Sequence, residues 1–417
     1  MNQSSSKSIF PLIIIGSLFF VLGFITWLNG MLIPHLKTAC ELTNFQSLFV
    51  AGAFYISFTI MALPSSWLLR KIGFKNGISI ALWVMGLGAL IFIPAALTRV
   101  YPYFLTGLFV LGTGMALLQT AVNPYITVLG PIDSAAKRIS IMGVANKVAG
   151  AIAPLVLAIF ILKDGDEVMI ASLNNLSDSA RNIQLDELAS RVIVPYIFMA
   201  ISLFGLGLLM KFVNLPKINL DNQQEEQSYI DGRTNVFQFP YLILGVIALF
   251  FYVGVEVIAG DTIIRYGQSI GIPMQTAKAF TSYTLIAMLV GYGLGIILIP
   301  KIISQQRALQ ISSILGILFS VMIVFTHGFT SVFFVAILGL ANAIVWPAIW
   351  PLAIEGLGRF THTASALLIM AISGGAILPL LWGKLSDLYS SQDAYWILLP
   401  AYLFILFYAL KGHKIGK

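Results

Sequence analysis

Apolar blocks of about 20 residues, long enough to cross the hydrocarbon core of a bilayer as a helix, recur from residue 10 to residue 411. Inside lipid a chain must satisfy its backbone polar groups internally, and a continuous helix does this. Hydrophobic residues make up 58% of the chain and charged residues 10%, against about 25% charged residues in soluble domains. We therefore predict an all-α membrane protein with twelve transmembrane helices, at 10–34, 44–69, 77–97, 102–129, 139–162, 191–213, 239–264, 276–300, 306–326, 330–355, 362–386 and 393–411.

The distribution of basic residues predicts the orientation of these helices. With the N-terminus inside, 15 Lys and Arg fall on the cytoplasmic side and 8 on the outer side. Because cytoplasmic loops carry an excess of Lys and Arg, both termini are expected in the cytoplasm. The same rule accounts for the net charge of +7, and no nucleic-acid partner is expected. Cys40 is the only cysteine, so neither a disulfide framework nor a thiolate metal site is expected.

Two similar segments, six spans apart, indicate an internal repeat. Residues 150–155 read GAIAPL and residues 375–380 read GAILPL, identical at five of six positions. A polar stretch without helical periodicity separates the first six spans from the last six. We therefore predict an N-terminal six-helix half at 1–213, a cytoplasmic linker at 214–238 and a C-terminal six-helix half at 239–417. In transporters built from repeats, the substrate binds between the repeats near the bilayer midplane.

A second polar stretch, residues 163–190, separates the predicted fifth and sixth spans. It contains six acidic residues, and with the N-terminus inside it falls on the outer side of the membrane. A run of charges of this kind is typical of a solvated surface. We therefore expect a solvated acidic loop there.

Short motifs spread over nearly the whole chain carry a family resemblance. They are NGMLIP at 29–34, LTNFQ at 42–46, QTAVNPYITVLGP at 119–131, YVG at 252–254, IRY at 264–266 and FILFYALKG at 404–412. Together they resemble the bacterial fucose–galactose–glucose/cation symporter family of the major facilitator superfamily. The last motif is more similar to the glucose/galactose branch than to the fucose branch. The resemblance implies the major facilitator fold, a multi-pass protein of the bacterial inner membrane, a sugar substrate and transport by alternating access.

The chain departs from the proton-coupled fucose branch at positions that matter for coupling. Gly30 and Gln119 stand where that branch has an Asp and a Glu, the carboxylates tied to substrate binding and proton transfer. Glu256 stands where the fucose branch has Gln, as in glucose/galactose members, and Lys147 stands where relatives carry Ser. The resemblance therefore supports a sugar substrate more strongly than proton coupling. It slightly favours Na⁺ over H⁺ as the coupling ion.

Amide and aromatic side chains are the candidates for binding the substrate. A sugar offers a ring of hydroxyls and an apolar face, so its site requires groups that donate and accept at once, together with aromatic planes. Several such residues recur four apart, on one face of a helix, and polar faces avoid lipid. The alternatives are amides that only join helices and tryptophans that only pack. The candidate substrate-binding residues are Gln119, Asn123, Asn146, Asn342, Trp346, Trp350, Trp27, Asn29 and Tyr252.

Three charged residues within or near the end of predicted spans are the candidates for ion coupling: Glu256, Lys147 and Asp261. A charge at the bilayer centre costs roughly 2.5–3.5 kcal/mol on insertion scales, which makes such residues functional candidates. Glu256 is a candidate Na⁺ ligand or proton carrier, and its alternative is a static pair with a cation. Pairing with Lys147 stays open, because the span boundaries put the two about 12 Å apart in depth. Asp261 and Arg265, four apart, are expected to pair with each other.

These patterns favour secondary active uptake of a monosaccharide, a hexose or amino-hexose, by cation symport. A sugar uniporter and an exporter of drugs or amphiphiles are the alternatives, and the exporter would have a mainly apolar cavity without paired amides. An enzyme or sensor would need a catalytic constellation or a soluble domain, and the sequence indicates neither. Because no phosphate-binding loop is present, no cofactor is expected beyond Na⁺ or H⁺ as coupling ion. The expected partners are the sugar and membrane lipid, with the monomer as the functional unit.

Overall fold

The computed structural model describes residues 9–163, 165–213, 232–277 and 279–417. Within these ranges the chain forms helices and short 3-10 turns without any strand. The helices are α1 (Ile9–Ala39), α2 (Asn44–Thr98), α3 (Tyr101–Val128), α4 (Ala135–Ile161), α5 (Asp166–Ser172), α6 (Asp178–Ser190), α7 (Ile193–Phe212), α8 (Pro240–Asp261), α9 (Ile263–Ser269), α10 (Met274–Ala277), α11 (Phe280–Leu298), α12 (Gln305–Phe325), α13 (Phe329–Asn342), α14 (Val345–Ile354), α15 (Thr361–Met370), α16 (Gly374–Leu388) and α17 (Leu398–Leu410).

Helix α2 is 55 residues long, which corresponds to about 80 Å at 1.5 Å per residue. A bilayer core is about 30 Å thick, so α2 is too long for a single crossing. Gly73 interrupts it with φ 76° and ψ 166°, a left-handed φ that glycine adopts without steric penalty. Eleven candidate spans occur among the described residues when α2 counts once. Counting its two arms separately gives the predicted twelve crossings and confirms the all-α membrane fold.

After the linker, two of the crossings are interrupted helices. The crossing at Phe329–Ile354 consists of α13 and α14, and the crossing at Gly358–Leu388 consists of α15 and α16. The first interruption follows directly after Asn342, and Pro347 lies one turn into α14. In membrane proteins, interrupted helices are tolerated where the freed backbone is buried in protein or lines a cavity. These breaks change which side chains share a helix face.

An even number of crossings puts both ends of the chain on one face of the bundle, which we call the terminal face. Which side of the membrane it meets stays a prediction, as does the division into halves, because 214–231 of the linker lie outside the described residues. At this face the Arg70 guanidinium donates to the Thr363 hydroxyl. Next to it the Phe74 ring stacks on His362, with centroids 5.0 Å apart and planes 17° apart. These contacts join α2 to α15.

The opposite face carries α5 and α6, which form a cap where a solvated acidic loop was expected. Buried Leu185, Leu188 and Ala189 of α6 pack with Ala39 at the end of α1. His35 Nε2 lies 3.0 Å from the Leu188 carbonyl oxygen. Three of the acidic residues form ion pairs, Arg191–Asp166 at 2.7 Å, Lys163–Glu187 at 2.9 Å and Arg99–Asp186 at 3.1 Å, and Arg181 of the cap pairs with Glu41.

Candidate substrate cavity

A cavity of about 200 Å³ lies in the middle of the bundle, between α1–α4 on one side and α8, α11 and α14 on the other. One water needs roughly 10–15 Å³ of such space, so the cavity is large enough for a small organic molecule. Its lining includes most of the residues singled out from the sequence, namely Trp27, Gln119, Asn123, Asn146, Lys147, Tyr252, Glu256, Asp261 and Trp346.

Lys147 on α4 and Glu256 on α8 form an ion pair at the cavity wall. Their side chains are only 7% and 14% exposed, so the opposite charges neutralise each other where water is scarce. The Lys147 ammonium also lies 4.9 Å from the centroid of the Trp27 ring, a cation–π distance. The difference in depth that left this pairing open is bridged in part by the long lysine stem, which lets the ammonium lie far from its backbone.

Gln119 and Asn123 occupy one face of α3 but have different surroundings. Asn123 is fully buried; its Nδ2 donates to the Gln119 carbonyl oxygen at 2.9 Å, and its Oδ1 accepts from Trp346 Nε1 at 3.4 Å. Gln119 lines the cavity, and its side-chain amide has no hydrogen-bond partner in the part of the chain that the structure describes. A glutamine amide has two donors and an acceptor. Gln119 therefore has its full hydrogen-bonding capacity available to a ligand.

Side chains of α8 and α14 form an aromatic wall of the cavity. The Trp346 ring lines the cavity and stacks on Trp350, with centroids 5.4 Å apart and planes 24° apart. Tyr252 lies 6.3 Å from Trp346, and its hydroxyl is close enough to Glu256 to interact with the carboxylate. Trp350 is fully buried behind Trp346 and is not part of the lining. It supports the plane that a ligand would contact.

Asn342 also lies outside the lining, against expectation. It is fully buried, and its Oδ1 accepts a hydrogen bond from the Tyr402 hydroxyl at 2.7 Å. The expected stripe of Asn342, Trp346 and Trp350 assumed one continuous helix. Because α13 ends at Asn342 and α14 begins at Val345, the stripe is broken at its first member. The Asn342 Oδ1 thus joins α13 to α17, while its Nδ2 has no partner among the described residues and its predicted contact with substrate stays a prediction.

Two further predicted residues lie on or near α1. Asn146 lines the cavity, and its Nδ2 donates to the Phe19 carbonyl oxygen at 3.3 Å. One side of this amide is thus engaged with α1 and the other faces the cavity. The side chain of Asn29 lies outside what the structure describes, so its predicted contact with substrate stays a prediction.

Asp261 ends α8, and its exposed side chain reaches the cavity. The expected pair between Asp261 and Arg265 is wrong: Arg265 Nη2 lies 2.8 Å from the Asp387 carboxylate instead. The physical reason is the break between α8 and α9 at Thr262, after which the four-residue spacing no longer puts the two on one face. No close ion pair to Asp261 occurs within the described ranges, although the Lys147 ammonium, which is held by Glu256, also attracts the Asp261 carboxylate from a longer distance.

Sequence reasoning missed two tyrosines of the lining, Tyr55 and Tyr292. Both lie against glycines of the facing helices. A Cβ at Gly143 would be 2.5 Å from the Tyr292 ring, and a Cβ at Gly375 would be 3.2 Å from the Tyr55 ring. The sequence around a tyrosine in a membrane helix does not show which way its side chain faces. A glycine on a facing helix, which leaves room for an aromatic ring, was the available signal for these two tyrosines. One of these glycines, Gly375, begins the GAILPL segment.

Twelve helical crossings around a central cavity define a polytopic membrane transporter. The family description Major Facilitator Superfamily matches residues 15–379. The chain is 34% identical to the glucose/galactose transporter of Brucella abortus, over 99% of this chain and 97% of that protein. It is 28% identical to the L-fucose-proton symporter of Escherichia coli K12, over 92% of this chain and 88% of that one.

Solved structures of transporters have the same fold as this chain. The transporter FucP in its outward conformation superimposes with a TM-score of 0.84 at 26% identity, over 96% of this chain and 98% of that chain. A double-tryptophan mutant of XylE superimposes with a TM-score of 0.75 at 15% identity, over 98% of this chain and 96% of that chain. At this low identity the match shows the fold alone. The chain belongs to the Major Facilitator Superfamily, and the resemblance to the fucose–galactose–glucose/cation symporter family is confirmed. It is a multi-pass protein of the bacterial inner membrane.

Proposed function

We propose that the protein takes up a monosaccharide, a hexose or amino-hexose, by alternating access and in symport with a cation. The observation that carries the proposal is the free amide of Gln119 in the same cavity as the supported ring of Trp346. Amides exchange hydrogen bonds with hydroxyls, and an aromatic plane packs against the apolar face of a sugar ring. The names of the relatives, glucose/galactose transporter and L-fucose-proton symporter, support the same class of substrate.

Asp261 is our leading candidate for the cation, ahead of Glu256. The Glu256 carboxylate already holds the Lys147 ammonium, so it accepts another cation only when Lys147 moves away. Asp261 lines the same cavity without a contact ion pair among the described residues, and Lys147 attracts its carboxylate only from a longer distance. We keep the slight preference for Na⁺, since Gly30 and Gln119 stand where the fucose branch has titratable carboxylates. Among the described residues, no three side chains of His, Cys, Asp or Glu lie close enough together to bind one metal ion. A Na⁺ site here would therefore use carbonyl and hydroxyl oxygens besides Asp261.

The competing transport modes make different use of the same residues. In a uniporter, Lys147 would act as a permanent internal cation, and no gradient would drive accumulation. An exporter of amphiphiles would use the aromatic wall without the Gln119 amide. The unengaged amide and the charged side chains of this cavity favour a small polar substrate over an amphiphile.

The test is counterflow exchange in proteoliposomes with a panel of labelled sugars and no ion gradient. Glucose, galactose, fucose, mannose, glucosamine and N-acetylglucosamine form the panel, and a lipophilic drug cation is the comparison. Saturable exchange of at least one sugar, inhibited by the same unlabelled sugar, is expected. Exchange of the drug with no exchange of any sugar would favour the exporter and contradict the proposal.

A further inference from the structure

A second cavity, of about 420 Å³, opens at the terminal face. It lies between the end of the first arm of α2 and the start of α15, and residues 234–236 before α8 form a third side. Arg70 comes from α2, while Arg359 and Thr363 come from the segment that begins α15. The cavity is separate from the central one, since the two share no lining residue.

Among the described residues, the lining of this cavity carries positive charge without negative charge to balance it. Its described lining contains two guanidinium groups and no carboxylate. Arg70 donates to the Thr363 hydroxyl, and Arg359 donates to the Arg233 carbonyl oxygen at 3.4 Å. Neither arginine has a carboxylate partner in the described ranges. Each guanidinium has five N–H donors, so most of the donors at both side chains have no partner among the described residues.

We propose that this cavity binds a phosphate-bearing anion, held between Arg70 and Arg359. Guanidinium groups bind phosphate through paired, charge-assisted hydrogen bonds, and two of them around one cavity are suited to an anion with several oxygens. Thr234, Asn235 and Thr363 add neutral hydrogen-bonding groups to the lining. The phosphate group comes either from a free phosphorylated solute or from a lipid headgroup, and both present the same chemistry.

Anion binding at this place has a mechanical consequence. Arg70 lies on α2 and Arg359 beside α15, the two elements that the Arg70–Thr363 hydrogen bond and the Phe74–His362 stack already hold together. A ligand that contacts both arginines binds the joined arrangement better than a separated one. It therefore shifts the population towards the joined arrangement. The bound anion would slow any transport step that separates α2 from α15, whatever the transported substrate is.

The test uses the purified full chain in detergent micelles, with inorganic phosphate as probe and chloride at equal ionic strength as reference. Thermal unfolding and hydrogen exchange of residues 70–76 and 359–365 are measured in wild type and in Arg359→Gln. Arg307→Gln is the matched control, because Arg307 is an exposed arginine of the same face outside the cavity. Well above its dissociation constant, phosphate is expected to raise the wild-type unfolding midpoint by about 2–4 °C and to slow exchange in both segments.

The two variants test whether Arg359 is needed for the effect of phosphate, and measurements in lipid nanodiscs test the source of the phosphate group. Arg359→Gln should lose both effects of phosphate, while Arg307→Gln keeps them. Nanodiscs of a phosphate-free galactolipid with and without phosphatidylglycerol, free of inorganic phosphate, test the headgroup as source by the same two measurements. An Arg359-dependent effect in either arm supports the proposal and names the source. Equal responses of wild type and Arg359→Gln in both arms, or no response in either, would overturn it. Neither readout depends on sugar transport, so this result is independent of the proposed function.

Discussion

The Lys147 ammonium on α4 and the Glu256 carboxylate on α8 form an ion pair, although the two residues are 109 positions apart in the chain. Each group alone would leave a charge at the wall of a cavity within the membrane, where an unpaired charge is unfavourable. Together they join α4 to α8 and remove the net charge of this part of the wall. Asp261 lines the same cavity, and no contact ion pair holds its carboxylate among the described residues.

The first prediction concerns the stability of this pair. Lys147→Met and Glu256→Gln should each destabilise the protein, because each leaves the other charge without its partner. The double variant should lose less free energy of unfolding than the two single variants lose together, with a coupling free energy of roughly 0.5–3 kcal/mol. Thermal or denaturant unfolding of the detergent-solubilised protein measures this cycle.

The matched control for that cycle is the pair of Arg265 and Asp387, which is 58% and 71% exposed. Exposed ion pairs contribute little, so Arg265→Met and Asp387→Asn should show a coupling near zero. Additive effects at Lys147 and Glu256, as at the control pair, would mean that the ion pair contributes nothing to stability.

The second prediction concerns the unengaged amide of Gln119. Gln119→Ala should weaken sugar binding by about 1–3 kcal/mol, the usual loss when a hydrogen-bond partner is removed, while the protein keeps its unfolding midpoint. Half-saturation of counterflow exchange measures the change in affinity. Thr113→Ala is the control, since Thr113 lies on α3 outside the lining and donates to its own helix at 2.9 Å. Wild-type affinity in Gln119→Ala would remove this residue from the proposed site.

The sequence was sufficient for the number of crossings and for most of the cavity, for physical reasons. Long apolar blocks permit only helices in lipid, and polar side chains such as Gln119 and Asn146 have to face protein or water there. The predicted stripe through Asn342 and the predicted Asp261–Arg265 pair both assumed unbroken helices. The break after Asn342 removed that residue from the cavity, and the break at Thr262 separated Asp261 from Arg265. Tertiary packing decides where such breaks fall, and it cannot be derived from periodicity.

The cap of α5 and α6 gives the third prediction, a dependence on pH. Burial alone would raise the pKa of Asp166, but hydrogen bonds from the Arg191 side chain and the Lys163 backbone N–H outweigh it and hold the pKa below its ordinary value. The ionised pair therefore stabilises the cap fully above the pKa of an unfolded aspartate, about 3.9. This stabilisation is lost as the pH falls through the lowered pKa of the folded state.

Hydrogen exchange of residues 178–190 tests this. At neutral pH, Asp166→Asn should exchange faster than wild type, and the difference should shrink as the pH falls below about 3.9. Asp178→Asn, which removes an exposed charge without an ion pair among the described residues of the same cap, should accelerate exchange much less than Asp166→Asn, because it removes only a favourable charge from the first turn of α6. An equal acceleration in both variants would point to loss of net charge and not to the Asp166–Arg191 pair.

The fourth prediction separates coupling from substrate binding. Asp261→Asn should abolish accumulation against a gradient while counterflow exchange of the sugar continues, because the variant removes the charge that a cation would neutralise. Glu256→Gln should also lose accumulation, but with a lower unfolding midpoint, since it leaves Lys147 without its partner. Uphill uptake that persists in Asp261→Asn would exclude Asp261 as the cation site.

The most direct test of cation-coupled sugar transport is uphill uptake by the wild-type protein in proteoliposomes, with Na⁺ and pH gradients imposed separately. One charge moving through 100 mV supplies about 2.3 kcal/mol, and about 1.4 kcal/mol is a factor of ten, so coupling to one cation can sustain roughly 40-fold accumulation. We predict accumulation of the exchanged sugar with an inward Na⁺ gradient and none without it. Accumulation driven by a pH gradient in the absence of Na⁺ would reverse the ion assignment, and equilibration without accumulation under either gradient would contradict coupled transport.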